Sequence, residues 1–156
     1  MDERRRIVNI FLDERTLGRR SPEVEHDRAV AVFDLLENNY FSPVNGELGP
    51  FNLHLSINEN RLGLSVCDEA DNKIFHFDLS LTSFRSVIKD YFLICESYYS
   101  AIKISSSSKI QAIDMARRSL HNDGSQILIE RLEKFVEVDF DTGRQLFTLV
   151  CVLHSR

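Results

Sequence analysis

Apolar and polar residues alternate along this chain with two different periods, and the change of period separates candidate strands from candidate helices. From Thr82 to Ile104, the apolar positions Phe84, Val87, Ile88, Tyr91, Cys95, Tyr98 and Ile102 recur every three or four residues, which gathers them on one stripe of an α-helix. The run Tyr91-Phe92-Leu93-Ile94-Cys95 adds apolar residues beyond that stripe. The pattern therefore predicts a central helix covered on two sides, by a sheet and by other helices. Upstream the period is two. Phe51 to Ile57 alternates strictly, and Leu62 to Val66 and Phe75 to Leu79 repeat the alternation. The links Asn58 to Arg61 and Asp68 to Asn72 are short and polar, so the three strands are expected to form an antiparallel meander. With Glu59-Asn60 and Ala70-Asp71 as turn centres, His54 falls opposite Ser65 and Ser65 opposite His76, all on the outer face.

The remaining elements follow from local signals. Ile7 to Leu12 reads as a first strand. Ser21-Pro22-Glu23 marks a helix start: the serine accepts from an orphan amide, the proline fits the first helical position, and acidic residues suit the positive end of the helix dipole. That helix is expected to reach about Asn38, and its second half, Ala29 to Leu36, is apolar nearly all round, which predicts deep packing. Asn38 to Pro50, with its asparagines, glycines and prolines, reads as an irregular connection. After the break Ser105 to Ser108, whose last serine can cap, a helix is expected to run to Leu120 or His121 and to end at Asn122-Asp123-Gly124. Ser125 to Phe135 reads as a further helix. Asp141 can cap a last one through His154, although Leu146 to Leu153 suits a strand equally. Together these predict an α+β fold: an antiparallel β-meander of three strands, with a candidate N-terminal strand, packed against a bundle of about five helices with a buried central helix. Residues 1–156 are expected to form one globular domain, a size that supports a sizeable core.

Composition narrows the classes. At 43% hydrophobic and 28% charged, with three prolines and six glycines, the chain lacks the bias of disordered or collagenous sequences. A formal net charge of -5 argues against a surface devoted to nucleic acid or anionic membrane, and Arg4-Arg5-Arg6 and Arg19-Arg20 read as a solvated arm and a loop. Cys67, Cys95 and Cys151 are odd in number, widely spaced and without a CxxC pair. They read as buried free thiols of a cytoplasmic protein, with no metal site expected. The apolar run Ile7 to Leu12 is too short for a signal-peptide core, and no stretch approaches the ~20 apolar residues of a membrane span.

The segments SPEVEHDRAVAVFDLLE from Ser21, SLTSFRSVIKDYFLICESYYSAI from Ser80, AIDMARRSLHNDGSQ from Ala112 and VEVDFDTGRQLFTLVCVLH from Val136 resemble a family of small uncharacterised alphaproteobacterial proteins. The resemblance covers roughly Leu17 to His154. It implies a single cytoplasmic domain and brings no activity, cofactor or catalytic residue, so candidate sites rest on physical reasoning.

The strongest constellation lies between Ser108 and His121. Asp114, Arg117, Arg118 and His121 fall on one helical stripe at separations of three, four and seven, so their side chains can touch. An aspartate fixing one arginine, beside a second arginine and a histidine near a helix end, can bind a phosphate or carboxylate, with His121 as proton donor. Asn122, Arg19 and Arg20 are candidates to complete the site. The structural alternative is an ion-paired helix flank, with cations placed at the negative end of the dipole. Glu25 and His26, on the first long helix, point about 100° apart and cannot supply two metal ligands without help from elsewhere. The row His54-Ser65-His76 spans two strand spacings, about 9.6 Å, too wide for one zinc at ~2.1 Å ligand distances. Asp90 and Glu96 lie on different sides of their helix, which disfavours a paired-carboxylate site. Leu93 lies opposite the apolar stripe and, if exposed, would mark a partner or homodimer contact. Phosphate-loop, dinucleotide, zincin, nucleophile-elbow and EF-hand motifs are absent, and Asp141-Thr142-Gly143 belongs to a helix start, not to a protease loop.

Two readings follow. The first is a non-enzymatic cytoplasmic binding or protein-interaction domain without a cofactor. The second is a small-ligand-binding protein or enzyme acting on a phosphate- or carboxylate-bearing metabolite through Arg117, Arg118 and His121. The second requires a concave pocket where those groups converge, and the first predicts an exposed apolar patch.

Overall fold

The computed structural model describes residues 3–13 and 21–154. Among them the elements run in the order β1 (Ile7–Leu12), α1 (Pro22–Glu37), β2 (Phe41–Pro43), β3 (Phe51–Asn58), β4 (Arg61–Cys67), β5 (Lys73–Ser80), α2 (Arg85–Ile104), α3 (Ser107–Leu132), β6 (Val136–Val138) and α4 (Phe140–His154). The fold is α+β, with a mixed four-stranded sheet in the order β1-β3-β4-β5 and a two-stranded sheet of β2 and β6.

The meander has the expected register. His54 faces Ser65 and Ser65 faces His76. The turn between β3 and β4 is centred on Glu59 and Asn60, with φ of 51° and 63°, so both central residues adopt the left-handed conformation of a tight hairpin turn. Leu53, Leu55, Leu62, Leu64, Val66, Phe77 and Leu79 point inward and are buried, while His54, Ser65, His76 and Asp78 keep contact with solvent. The N-terminal strand β1 joins the meander parallel to β3, making the sheet mixed rather than purely antiparallel. Asn39 anchors this junction. Its buried amide accepts from Ile7 N (2.7 Å) and donates to the carbonyls of Ile7 (2.9 Å) and Leu35 (2.8 Å), tying the end of α1 to the start of β1.

Several expectations are corrected. The stretch around Asn122-Asp123-Gly124 does not end a helix, and α3 is continuous across it, leaving four α-helices among the described residues instead of about five. Gly124 is required by packing: a Cβ there would overlap the ring of Phe147 on α4, and one on Gly143 would overlap Ile129 on α3. The two glycines let α3 and α4 approach closely.

The buried central helix is α4, not the Thr82–Ile104 stretch. Leu146, Phe147 and the whole run Leu149 to Leu153 are buried, because that run has no polar face to turn to water. On α2, Ile88, Cys95 and Ala101 are buried against the body, whereas Leu93, Ile102 and Ile104 are exposed, at 53%, 49% and 87%. Its charged residues give α2 an outer face, and it packs chiefly on α3, away from the sheet. Similarly, α1 buries only Ala31 and Leu35, and Val30 and Phe33 stand exposed.

The connection after α1 also holds β2, antiparallel to β6 with Phe41 opposite Val138; three-residue strands are too short to show a period. The caps are Ser21 (accepting from Val24 N, 3.2 Å), Ser106 (from Lys109 N, 3.3 Å) and Asp139 (from Thr142 N, 2.9 Å), so Ser106 and Asp139 replace the expected Ser108 and Asp141. No helix among the described residues is long and apolar enough to cross a membrane.

Candidate functional site

The i, i+3, i+4 and i+7 spacing on α3 brings its polar stripe together. Asp114 takes one arginine on each carboxylate oxygen: Arg117 Nη2 donates to Oδ1 at 2.6 Å and Arg118 Nε to Oδ2 at 3.0 Å. Arg117 also lies over the ring of Tyr98 on α2, 4.1 Å from its centroid. Burial opposes the charge on Arg117, and the hydrogen bond and charge of Asp114 more than restore it, holding the guanidinium above its ordinary range.

One turn on, His121 is buried between aromatic rings, with Tyr91 at 5.3 Å and Phe147 at 5.2 Å between centroids. Its Nε2 lies 2.7 Å from Thr148 Oγ1, and the Thr148 hydroxyl donates to Arg144 O at 3.2 Å. The His121–Thr148 contact is the shorter of the two made by that hydroxyl, and its direction follows the tautomer of the imidazole. Ser125 spends its own proton on His121 O at 2.7 Å. Burial, then the charges of Arg144 and Arg117, push the His121 pKa down to about 4. At neutral pH the imidazole is therefore uncharged and hydrogen-bonded through Nε2 to Thr148.

These residues line a cleft of about 410 Å³ between three helices. Arg117, Arg118 and His121 come from α3, Arg144, Gln145 and Thr148 from α4, and His26, Asp27 and Asp34 from α1. Tyr99 on α2 donates to Asp27 Oδ2 at 3.0 Å, and the Tyr91 ring closes the floor. Burial pushes the phenols of Tyr91 and Tyr99 well up, and burial likewise raises the Cys95 thiol. Arg144 has a buried Nε with no hydrogen-bond partner among the described residues.

Of the residues singled out from sequence, Arg117, Arg118 and His121 thus converge, and Asp114 sits behind the arginines as their anchor. Asn122, one residue beyond His121, is rotated to the exposed surface and is not part of the cleft wall. Arg19 and Arg20 lie outside the described residues. Sequence reasoning missed Arg144, Gln145, Thr148 and Asp27 and weighed His26 only as a metal ligand beside Glu25. Their i, i+4 spacing, Arg144 to Thr148, was the available signal once α4 is a helix.

The family model described as "Uncharacterised protein family (UPF0262)" matches residues 4–156. The chain belongs to the uncharacterised protein family UPF0262. It is similar to a UPF0262 protein of Chelativorans sp. (strain BNC1), 55% identical over 97% of this chain and 94% of the relative. A UPF0262 protein of Agrobacterium fabrum is 54% identical over 97% and 96%, and one of Brucella canis 56% identical over 97% and 94%. No solved structure matches the chain.

The sheet of this UPF0262 chain carries a second polar cluster on its outer face. Ser65 Oγ lies 2.7 Å from His76 Nδ1, and His76 Nε2 lies 3.0 Å from Asp78 Oδ1. His54 Nε2 is instead 2.7 Å from Asp71 Oδ1, which also accepts from Asn52 Nδ2 at 3.2 Å. The ring of Phe11 stacks on His54 with centroids 4.6 Å apart.

Proposed function

We propose that this protein is a non-enzymatic cytoplasmic binder of a small anionic ligand, taken up in the cleft between α1, α3 and α4 through Arg117, Arg118 and Arg144. The observation that carries the reading is the convergence of Arg117 and Arg144 on one buried, neutral histidine within a concave site. Both arginines line the same concave cleft, and Arg144 retains a buried donor for a phosphate or carboxylate. Asp27 and Asp34 on the facing wall suit a ligand that pairs its anionic end with hydroxyl or ammonium donors. Binding is favoured over catalysis because the groups whose proton affinity is strongly altered, His121, Tyr91 and Tyr99, are all driven away from neutrality, the reverse of what acid–base chemistry needs. Three unpaired, buried cysteines support the cytoplasmic assignment.

The test is a thermal-shift screen with inorganic phosphate, phosphorylated metabolites and hydroxy or amino carboxylates. At least one of these ligands is expected to raise the melting temperature, and Arg144→Gln to abolish the shift. A shift of equal size in Arg144→Gln, or none with any anion, would overturn the reading.

A second reading, contact with a protein partner or a second copy of the chain, is supported by Leu93 and Ile104, which flank a shallow groove between α2 and α3. It expects a concentration-dependent oligomer or stable complex that Leu93→Glu disrupts. A strict monomer that retains no partner removes it.

A further inference from the structure

The outer face of the sheet brings together three side chains from separate places in the chain: His54 on β3, Cys67 at the end of β4 and Asp71 in the link to β5. Their ligand atoms, a ring nitrogen, the sulfur and a carboxylate oxygen, all lie within 4.8 Å of one another. We propose that His54, Cys67 and Asp71 form a site for a borderline divalent transition-metal ion, zinc foremost, with water as the fourth ligand.

The donor set determines the class of ion. One nitrogen, one thiolate and one carboxylate match zinc and its neighbours, whereas magnesium and calcium take oxygen ligands. In a tetrahedral site with ligand bonds of about 2.0–2.3 Å, the donor atoms stand roughly 3.3–3.6 Å apart. The three donor atoms already lie within 4.8 Å of one another, and the 2.7 Å contact between His54 Nε2 and Asp71 Oδ1 opens to admit the ion. The thiol proton of Cys67 leaves to solvent as the sulfur bonds to the metal, and the neutral imidazole binds through Nε2 with its single proton on Nδ1, reached from the Nε2–H tautomer by exchange with solvent.

The surroundings hold the three donors in place. Asp71 has a φ of 67° in a link whose Asp68 carboxylate accepts from Ala70 N (3.0 Å) and Asn72 N (2.9 Å). A register shift between Val66 and Cys67 interrupts the β4–β5 ladder at the cysteine itself, a place where bulges re-aim side chains. Asn52 donates to Asp71, and Phe11 stacks on the His54 ring, which supplies the supporting shell that metal ligands use. Cys67 is 5% exposed, while the side chains of His54 and Asp71 are 37% and 50% exposed, so the site is closed beneath and open to water above. The wide spacing of the cysteines and the separation of His54 from His76 disfavour zinc in the sequence, where one cysteine completed by a turn aspartate leaves no spacing signal.

The decisive experiment titrates the reduced full-length chain with cobalt(II), the spectroscopic substitute for zinc. One equivalent is expected to produce a thiolate-to-cobalt charge-transfer band with tetrahedral ligand-field absorption, displaced by zinc, and zinc is expected to raise the melting temperature. Cys67→Ser should remove the charge-transfer band. Asp71→Asn, at an exposed position that tolerates the same turn, should weaken binding by more than about tenfold with the circular dichroism spectrum unchanged. Absence of a charge-transfer band in the wild-type chain overturns the proposal, as does a band that survives in Cys67→Ser or an affinity unchanged in Asp71→Asn. The arginine cleft plays no part, so this result is independent of anion binding.

Discussion

The ring of Phe147 lies against the bare backbone of Gly124, filling the space where a side chain on residue 124 would begin. The same ring meets His121 edge-on, so the approach of α4 to α3 also fixes an imidazole that lines the cleft. Gly124→Ala gains up to about 1 kcal/mol of helix propensity, but forces a fully buried ring to move, which costs about 1–3 kcal/mol. The expected outcome is a net loss of about 1–2 kcal/mol in urea unfolding, partly restored by adding Phe147→Leu. A variant more stable than wild type would show that the helices have room to separate.

His121 gives the protein a pH-dependent stability of defined sign. Its folded pKa of about 4 lies below the ordinary 6.5, so between these values the unfolded chain binds the extra proton and acidification favours unfolding. The contribution is complete above about pH 6.5, is lost as pH falls toward 4, and amounts to about 3 kcal/mol. Unfolding measured at pH 7, 5.5 and 4 should show this slope, and His121→Gln should flatten it. In an NMR titration Arg144→Gln is expected to move the His121 midpoint upward, and so is a bound anion. A midpoint near 6.5 in the wild-type protein contradicts the buried, cation-flanked imidazole.

Asn39 holds three buried hydrogen bonds to Ile7 and Leu35. Asn39→Ala strands these backbone groups and is expected to cost about 2–4 kcal/mol, with loss of hydrogen-exchange protection concentrated in β1. Uniform loss of protection across β3 to β5 would instead mean that the clamp stabilises the whole sheet.

The meander was legible because strict alternation and two polar links leave only one register that keeps Leu53, Leu55, Leu64 and Phe77 on the same face. Arg117, Arg118 and His121 were legible because a single helix places them together. What escaped depends on contacts between distant segments. Asn122-Asp123-Gly124 carries every local mark of a helix end, and only the arrival of Phe147 explains a glycine inside a continuous helix. The stripe on α2 is real, yet its period cannot reveal that α4 takes the interior and leaves Ile104 in water. Arg144 belongs to the cleft only once α4 lies across α3. Cys67 and Asp71 meet only because a turn folds back on the strand before it.

The placement of β1 makes its pairing with β3 a longer chain closure than either hairpin. The hairpins β3–β4 and β4–β5 close through a few residues, whereas Ile7 reaches Phe51 only after α1 and the β2 segment have been made. Wherever β1 is not in place, the β1-facing edge of β3 is an open template for another chain.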